Sequence, residues 1–186
     1  MDRVADAFAA VPRIDFLPAG QQRFADEDRP LPIGHGATNS QPWTVNYMLR
    51  LLDVRPGDRV LDVGSGSGWT TALLAHLTGP TGEVIGVDTV PALVELGRAH
   101  LGERFPRAQI VRAVPGVLGW PDAAPYDRIL VSADGERVPE ELEAQLAAGG
   151  RMVLPAASVM MLVERLASGA VRRTSTGDRF TFVPLR

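Results

Sequence analysis

The 186-residue sequence contains no cysteine and no lysine, and no apolar run in it approaches the roughly 20 residues of a membrane span. Absent cysteine excludes disulfides, thiolate metal sites and cysteine nucleophiles. All nineteen basic residues are arginine, beside 19 Gly and 15 Pro. We read this as the codon bias of a GC-rich genome, since thermophile composition leans on lysine as well. Three histidines, at 35, 76 and 100, offer no H-x-x-x-H spacing, so no metal is expected and they read as surface or loop residues. A formal net charge of −3 makes nucleic acid and anionic membranes unexpected partners. The opening MDRVADAFAAVPR lacks a long apolar stretch, and the expected location is cytoplasmic.

What is present reads as a globular protein, with 45% hydrophobic and 22% charged residues. The length suits one domain, divided into an arm (1–39), a core (40–155) and a terminal hairpin (156–186). Residues 2–10 suit a short helix ended by Pro12, and Arg13 to Asn39 keeps no period. Ser40 reads as an N-cap, with Pro42 in the first turn and Val45, Met48, Leu49 and Leu52 spaced as a buried helix face. From Asp58, strands and helices alternate: Arg59–Val63 then 69–78, Glu83–Asp88 then 91–102, Gln109–Ala113, Arg128–Ala133, a helix Pro139–Ala148 stopped by Gly149-Gly150, and Arg151–Leu154. Val159–Leu166, a turn at 167–169, and extended pieces at Ala170–Arg173 and Arg179–Val183 follow without a helix. The predicted fold is α/β: a Rossmann-like, doubly wound, mostly parallel sheet finished by an antiparallel hairpin, as in class I methyltransferases by analogy.

The segment Val60-Leu61-Asp62-Val63-Gly64-Ser65-Gly66-Ser67-Gly68-Trp69 is an apolar strand running into a glycine loop and a helix. Glycines permit the sharp turn and let a ligand reach backbone N–H groups at a helix N-terminus, although such a loop alone is also an ordinary tight turn. About twenty residues on, Asp88, followed by Thr89, ends the next strand, where a carboxylate accepts both ribose hydroxyls of a nucleoside. It equally suits a helix cap before Pro91, and the two roles are compatible. The dinucleotide fingerprint G-x-G-x-x-G needs glycine at its sixth position, which here is Trp69 or Thr71. The spelling Gly64, Gly66, Gly68 after Asp62 points instead to S-adenosylmethionine.

Pro32-Ile33-Gly34-His35-Gly36-Ala37-Thr38-Asn39-Ser40-Gln41-Pro42 resembles the signature of the protein-L-isoaspartate O-methyltransferases, in which it reads approximately P-I-G-x-G-Q-T-I-S-Q-P. The similarity extends over most of the chain. It includes Val11-Pro12-Arg13 with Phe16-Leu17-Pro18, Leu118-Gly119-Trp120-Pro121 with Ala124-Pro125-Tyr126-Asp127, Gln145-Leu146 before Gly149-Gly150-Arg151, and Phe182-Val183-Pro184-Leu185.

This resemblance implies methyl transfer from S-adenosylmethionine to the free carboxylate of isoaspartyl residues in peptides or proteins, the first step of protein repair. It implies Ser40 as the active-site hydroxyl with Thr38 beside it, and Asp62, Gly64, Ser65, Gly66, Gly68, Asp88, Thr89 and the Pro115 loop around the cofactor. The sequence departs from the pattern at Ala37, Asn39 and Asp134-Gly135, and Val114-Pro115-Gly116 stands where the family has G-D-G. Pro115 supplies neither a carboxylate nor an N–H for adenine. Asp127 reads as a turn residue, and Trp43, Trp69 and Trp120 either fill the core or surround the ligand. Two other readings stay open: a carboxylate methyltransferase serving one dedicated peptide, and a non-catalytic nucleoside-binding module.

Overall fold

The computed structural model describes residues 2–185. Helix α1 (Arg3–Ala10) is capped by Asp2, whose carboxylate accepts the Ala5 N–H, and it ends before Pro12 as the sequence predicts. The aperiodic arm beyond it is ordered, with two 3-10 turns (Arg13–Phe16 and Gln22–Phe24) and a small hairpin of β1 (Leu31–Gly34) and β2 (Ala37–Asn39). Helix α2 (Pro42–Leu52) buries Val45, Met48, Leu49 and Leu52.

Ser40 does not cap α2. The cap position is Gln41, with no side-chain capping bond of its own. The service comes from the arm instead: Asp28 accepts the Trp43 N–H at 2.8 Å and the Gln41 side-chain amide at 3.0 Å. A carboxylate held in space there satisfies the orphan donor of the first turn as well as a local hydroxyl does.

The core alternates as expected: β3 (Arg59–Val63), α3 (Trp69–Thr78), β4 (Glu83–Asp88), α4 (Pro91–Leu101), β5 (Ala108–Arg112), β6 (Tyr126–Val131), a one-turn helix α5 (Glu140–Glu143), β7 (Leu146–Ala156), β8 (Val159–Arg165) and β9 (Val171–Arg179). The seven-stranded sheet has the order β5-β4-β3-β6-β7-β8-β9. Pairs from β5 to β7 are parallel and the last two are antiparallel. One face packs on α1, α2 and α3 through residues such as Leu49, Leu73 and Leu74. The other is filled by Leu61, Ile85, Tyr126 and Met152. Each such aliphatic side chain contributes about 1.5–3 kcal/mol relative to exposure.

Three expectations change. The helix expected over 139–148 is a single turn, because Gln145 bends back to the Trp120 N–H and to the Leu118 and Glu141 carbonyls. Gly149 and Gly150 sit in β7, where the register with β6 jumps: Tyr126 faces Leu146, but Arg128 faces Arg151. A Cβ on Gly150 would meet the Ala147 and Tyr126 carbonyls at 2.9 and 3.0 Å, so this bulge requires glycine. In the tail, one nine-residue strand, β9, replaces the two short pieces. The chain after Arg179 leaves the sheet and is pinned by Asp134, whose N–H donates to Val183 and whose carbonyl accepts from Leu185. Finally, Asp127 holds no turn: its carboxylate accepts the Arg59 N–H at 2.8 Å and ties the start of β3 to β6.

Candidate active site

The strand order reverses between β3 and β6, and in open α/β sheets the crevice beyond the strand ends at such a point is where ligands bind. Here it is a cavity of about 770 Å³. The glycine loop forms its floor, the 35–41 segment one wall, and the 179–185 tail another. Ser132 and Gly64 sit side by side because the Ser132 N–H donates to Val63 and the Gly64 N–H to Val87. Gly64, Gly66 and Gly68 all have left-handed φ, at 80°, 52° and 89°, the conformation glycine adopts without strain. A Cβ on Gly68 would meet the Gly97 carbonyl at 3.2 Å, so this glycine also lets α3 and α4 approach.

Asp88 does not cap α4, whose cap position is Val90 with no side-chain capping bond; it braces the two loops instead. One carboxylate oxygen accepts the Gly66 N–H and the other the Val90 N–H, each at 2.9 Å, and the residue lines the cavity with Thr89. Each oxygen keeps a further lone pair for a ligand hydroxyl. Thr38, Ser40, Gly64, Ser65 and Gly66 line the same cavity. Among the described residues, no hydrogen bond engages the Ser40 side chain, while its carbonyl accepts from Arg13 at 3.0 Å.

Three predicted cofactor residues lie elsewhere. Gly68 is behind the loop at the start of α3. Asp62 is fully buried beneath it and does not line the cavity. One of its oxygens accepts from the Thr70 and Thr71 hydroxyls, both at 2.7 Å, while the other has no partner. Burial pushes its carboxyl up to about 6, against the opposing pull of the two threonine bonds. Asp62 therefore bears on the glycine loop indirectly, by fixing the first turn of α3. Pro115 lines an adjoining cleft of about 630 Å³, joined to the main cavity through Thr89, Ala113, Val117 and Leu118.

Sequence reasoning missed Arg13, buried with 6% exposure. Its guanidinium donates to the Asn39 side chain and to the Glu27, Arg29, Asn39 and Ser40 carbonyls. Burial lowers its pKa to about 10, which leaves it charged at neutral pH. Backbone carbonyls leave no trace in a sequence; the signals for Arg13 are its place in the family-like Val11-Pro12-Arg13 and a charge set between apolar Val11 and Phe16. His100 is a correction to the surface reading: its Nδ1 lies 2.9 Å from the Ser67 carbonyl and its ring meets Phe16 edge-on. The tryptophans divide. Trp69 and Trp120 pack in the core, with Trp69 also edging the cavity, whereas Trp43 is 54% exposed at the mouth, stacked on Tyr47 and Phe180.

The model of the protein-L-isoaspartate(D-aspartate) O-methyltransferases matches residues 1–186. A protein-L-isoaspartate O-methyltransferase of Anaeromyxobacter dehalogenans is 48% identical over 98% of this chain and 88% of its own length. Its counterpart from Aeropyrum pernix is 45% identical over 98% of this chain and 72% of its own. A solved protein-L-isoaspartate O-methyltransferase superposes on the whole chain with a TM-score of 0.88 at 26% identity, and this chain spans 62% of its length. A Plasmodium falciparum structure described as a beta-aspartate methyltransferase, in complex with S-adenosyl-L-homocysteine, gives 0.85 at 26% identity over 91% of its length. Matched by the family model over residues 1–186, this chain belongs to the protein-L-isoaspartate(D-aspartate) O-methyltransferase family.

Proposed function

We propose that the chain transfers the methyl group of S-adenosylmethionine to the free carboxylate of an isoaspartyl residue in a peptide or protein, the first step of repair. One observation carries the reading: the Asp88 carboxylate and glycine loop share a single cavity with the Thr38 and Ser40 hydroxyls. Its volume suits a nucleoside joined to an amino acid, and Asp88 supplies the acceptors that ribose hydroxyls need. S-adenosylmethionine supplies a methyl group on a positively charged sulfur. The incoming carboxylate is ionised at neutral pH, so no side chain has to remove a proton. Ser40 and Thr38 donate hydrogen bonds that orient it. Walls from the tail and the 35–41 segment exclude water, which favours a reaction whose charges cancel, and alignment contributes several kcal/mol. In this reading adenine lies in the Val114–Leu118 cleft, which Arg112, Glu136, Arg137 and Glu141 also line, with Pro115 giving up the family's acidic contact.

Supporting a peptide rather than a nucleic-acid substrate is the net charge of −3. The cysteine-free composition supports a cytoplasmic place of work, and no helix among the described residues is long and apolar enough to cross a membrane. The test is a methyl-transfer assay on matched peptides that differ only in an isoaspartyl or an aspartyl linkage. Transfer confined to the isoaspartyl peptide is expected; equal transfer to both, or none to either, overturns the reading.

A further inference from the structure

A residue methylated within a peptide has neighbours, and when its carboxylate reaches Ser40 the chain on either side crosses the cavity rim. Three positions beyond Ser40 that rim carries Trp43, in the first turn of α2. Among the described residues it is the only aromatic in the set of exposed large apolar side chains. The ring is nonetheless held in place. Tyr47, one helical turn on, stacks against it with centroids 5.5 Å apart and planes at 21°, and Phe180 of the tail does so at 5.9 Å and 20°. The Tyr47 hydroxyl donates to Asp178, near the end of β9, at 2.5 Å, and the Trp43 backbone N–H is fixed by Asp28. Buried Trp69 donates its indole N–H to the Val11 carbonyl, whereas no hydrogen bond among the described residues engages the indole N–H of Trp43.

We propose that the Trp43 indole, propped on Tyr47 and Phe180, is a shelf for the side chain of a residue flanking the isoaspartyl, and that it selects aromatic over small flanking residues; this rests on the methyl-transfer reading above. The occupant follows from continuity, because Trp43, Phe180 and Ser40 line one cavity. Core filling does not account for the ring, since α2 buries Val45, Met48, Leu49 and Leu52 instead. Docking the tail accounts for only part of it, since 54% of the residue stays open at the rim. A rigid, propped aromatic loses little conformational freedom on contact, and ring against ring adds to the gain from the area covered. The free indole N–H is a donor placed for a peptide carbonyl, of which every flanking residue brings one.

The experiment uses two pairs of isoaspartyl peptides, with Phe or Ala immediately before the isoaspartyl in one pair and immediately after it in the other. The parent is expected to show a KM about five-fold lower for Phe than for Ala in at least one pair. Trp43→Leu keeps apolar cover on Tyr47 and Phe180 but removes the flat ring, and should bring that ratio below about two; Trp43→Tyr should keep most of it. A second readout needs no turnover. With S-adenosylhomocysteine bound, acrylamide quenching of tryptophan emission should fall more on adding the Phe peptide than the Ala peptide, and Trp43→Leu should abolish the difference. The quenching of the parent reports even if Trp43→Leu fails to fold. A parental ratio near one in both pairs, a ratio that survives in Trp43→Leu, or a KM that rises equally for Phe and Ala peptides would each overturn the proposal. So would quenching that is weak before any peptide is added and strengthens on dilution, which assigns the shelf to a second copy of the chain. A parent protein that binds S-adenosylhomocysteine but methylates no isoaspartyl peptide would instead sink the functional reading beneath it.

Discussion

The Asp28 carboxylate and the Trp43 backbone N–H lie 2.8 Å apart, so the first turn of α2 is closed by a residue fifteen positions upstream. Asp28→Ala is expected to destabilise the protein by about 1 kcal/mol, the usual cost of a lost N-cap. Urea unfolding of the variant checks it. A midpoint equal to the parent's would mean that water caps the helix equally well.

Freed from capping, Ser40 becomes a cleaner probe of chemistry. Ser40→Ala is expected to stay within about 0.5 kcal/mol of parental stability, because its hydroxyl has no hydrogen-bond partner among the described residues. The same variant should lose roughly ten- to a thousand-fold in kcat/KM on an isoaspartyl peptide, the range for an orienting hydrogen bond in a water-poor site. Full activity in Ser40→Ala returns Ser40 to the backbone alone.

S-adenosylhomocysteine should raise the thermal midpoint with the logarithm of its concentration once that exceeds Kd, and NAD should not. Asp88→Ala should weaken that binding by about 1.5–3 kcal/mol, as for other hydrogen bonds to a charged group. Asp88→Asn keeps an acceptor for Gly66 and separates loop support from hydroxyl binding. Calorimetry that detects NAD and no S-adenosylhomocysteine would reverse the assignment.

Asp62 gives stability an unusual pH dependence. Its folded pKa, about 6, lies above the ordinary 3.8, so the folded state holds the proton more tightly than the unfolded chain. This contribution is fully present below about pH 4 and is lost as pH rises through 6, an effect on the order of 3 kcal/mol. The expected result is that parental stability minus that of Asp62→Asn falls between pH 4 and 6 and is flat above 7. A difference that rises over that window contradicts a buried protonated carboxyl.

Where hydrophobic period and glycine punctuation agree, the sequence could be read to the residue: β3, α3 and β4 begin and end where Arg59–Val63, 69–78 and Glu83–Asp88 place them. The glycine loop, Asp88 and the two hydroxyls were likewise legible and do meet in one cavity. The arm was not, because a single guanidinium organises it through backbone carbonyls that any residue provides. The tail escaped for the same reason, being held by main-chain bonds to Asp134. Gly149-Gly150 marked a real irregularity but was assigned to the wrong element, since a helix stop and a strand bulge call for the same residue.

The cavity walls come from three stretches far apart in sequence: the 35–41 segment, the loops that follow the parallel strands, and 179–185. No single stretch contains a binding surface. Ligand protection should therefore spread to amides in the arm and the tail together, and a chain with either one detached should bind nothing. Occupancy by S-adenosylhomocysteine then becomes a quality assay for the whole polypeptide: the fraction of a preparation that binds measures the fraction correctly assembled.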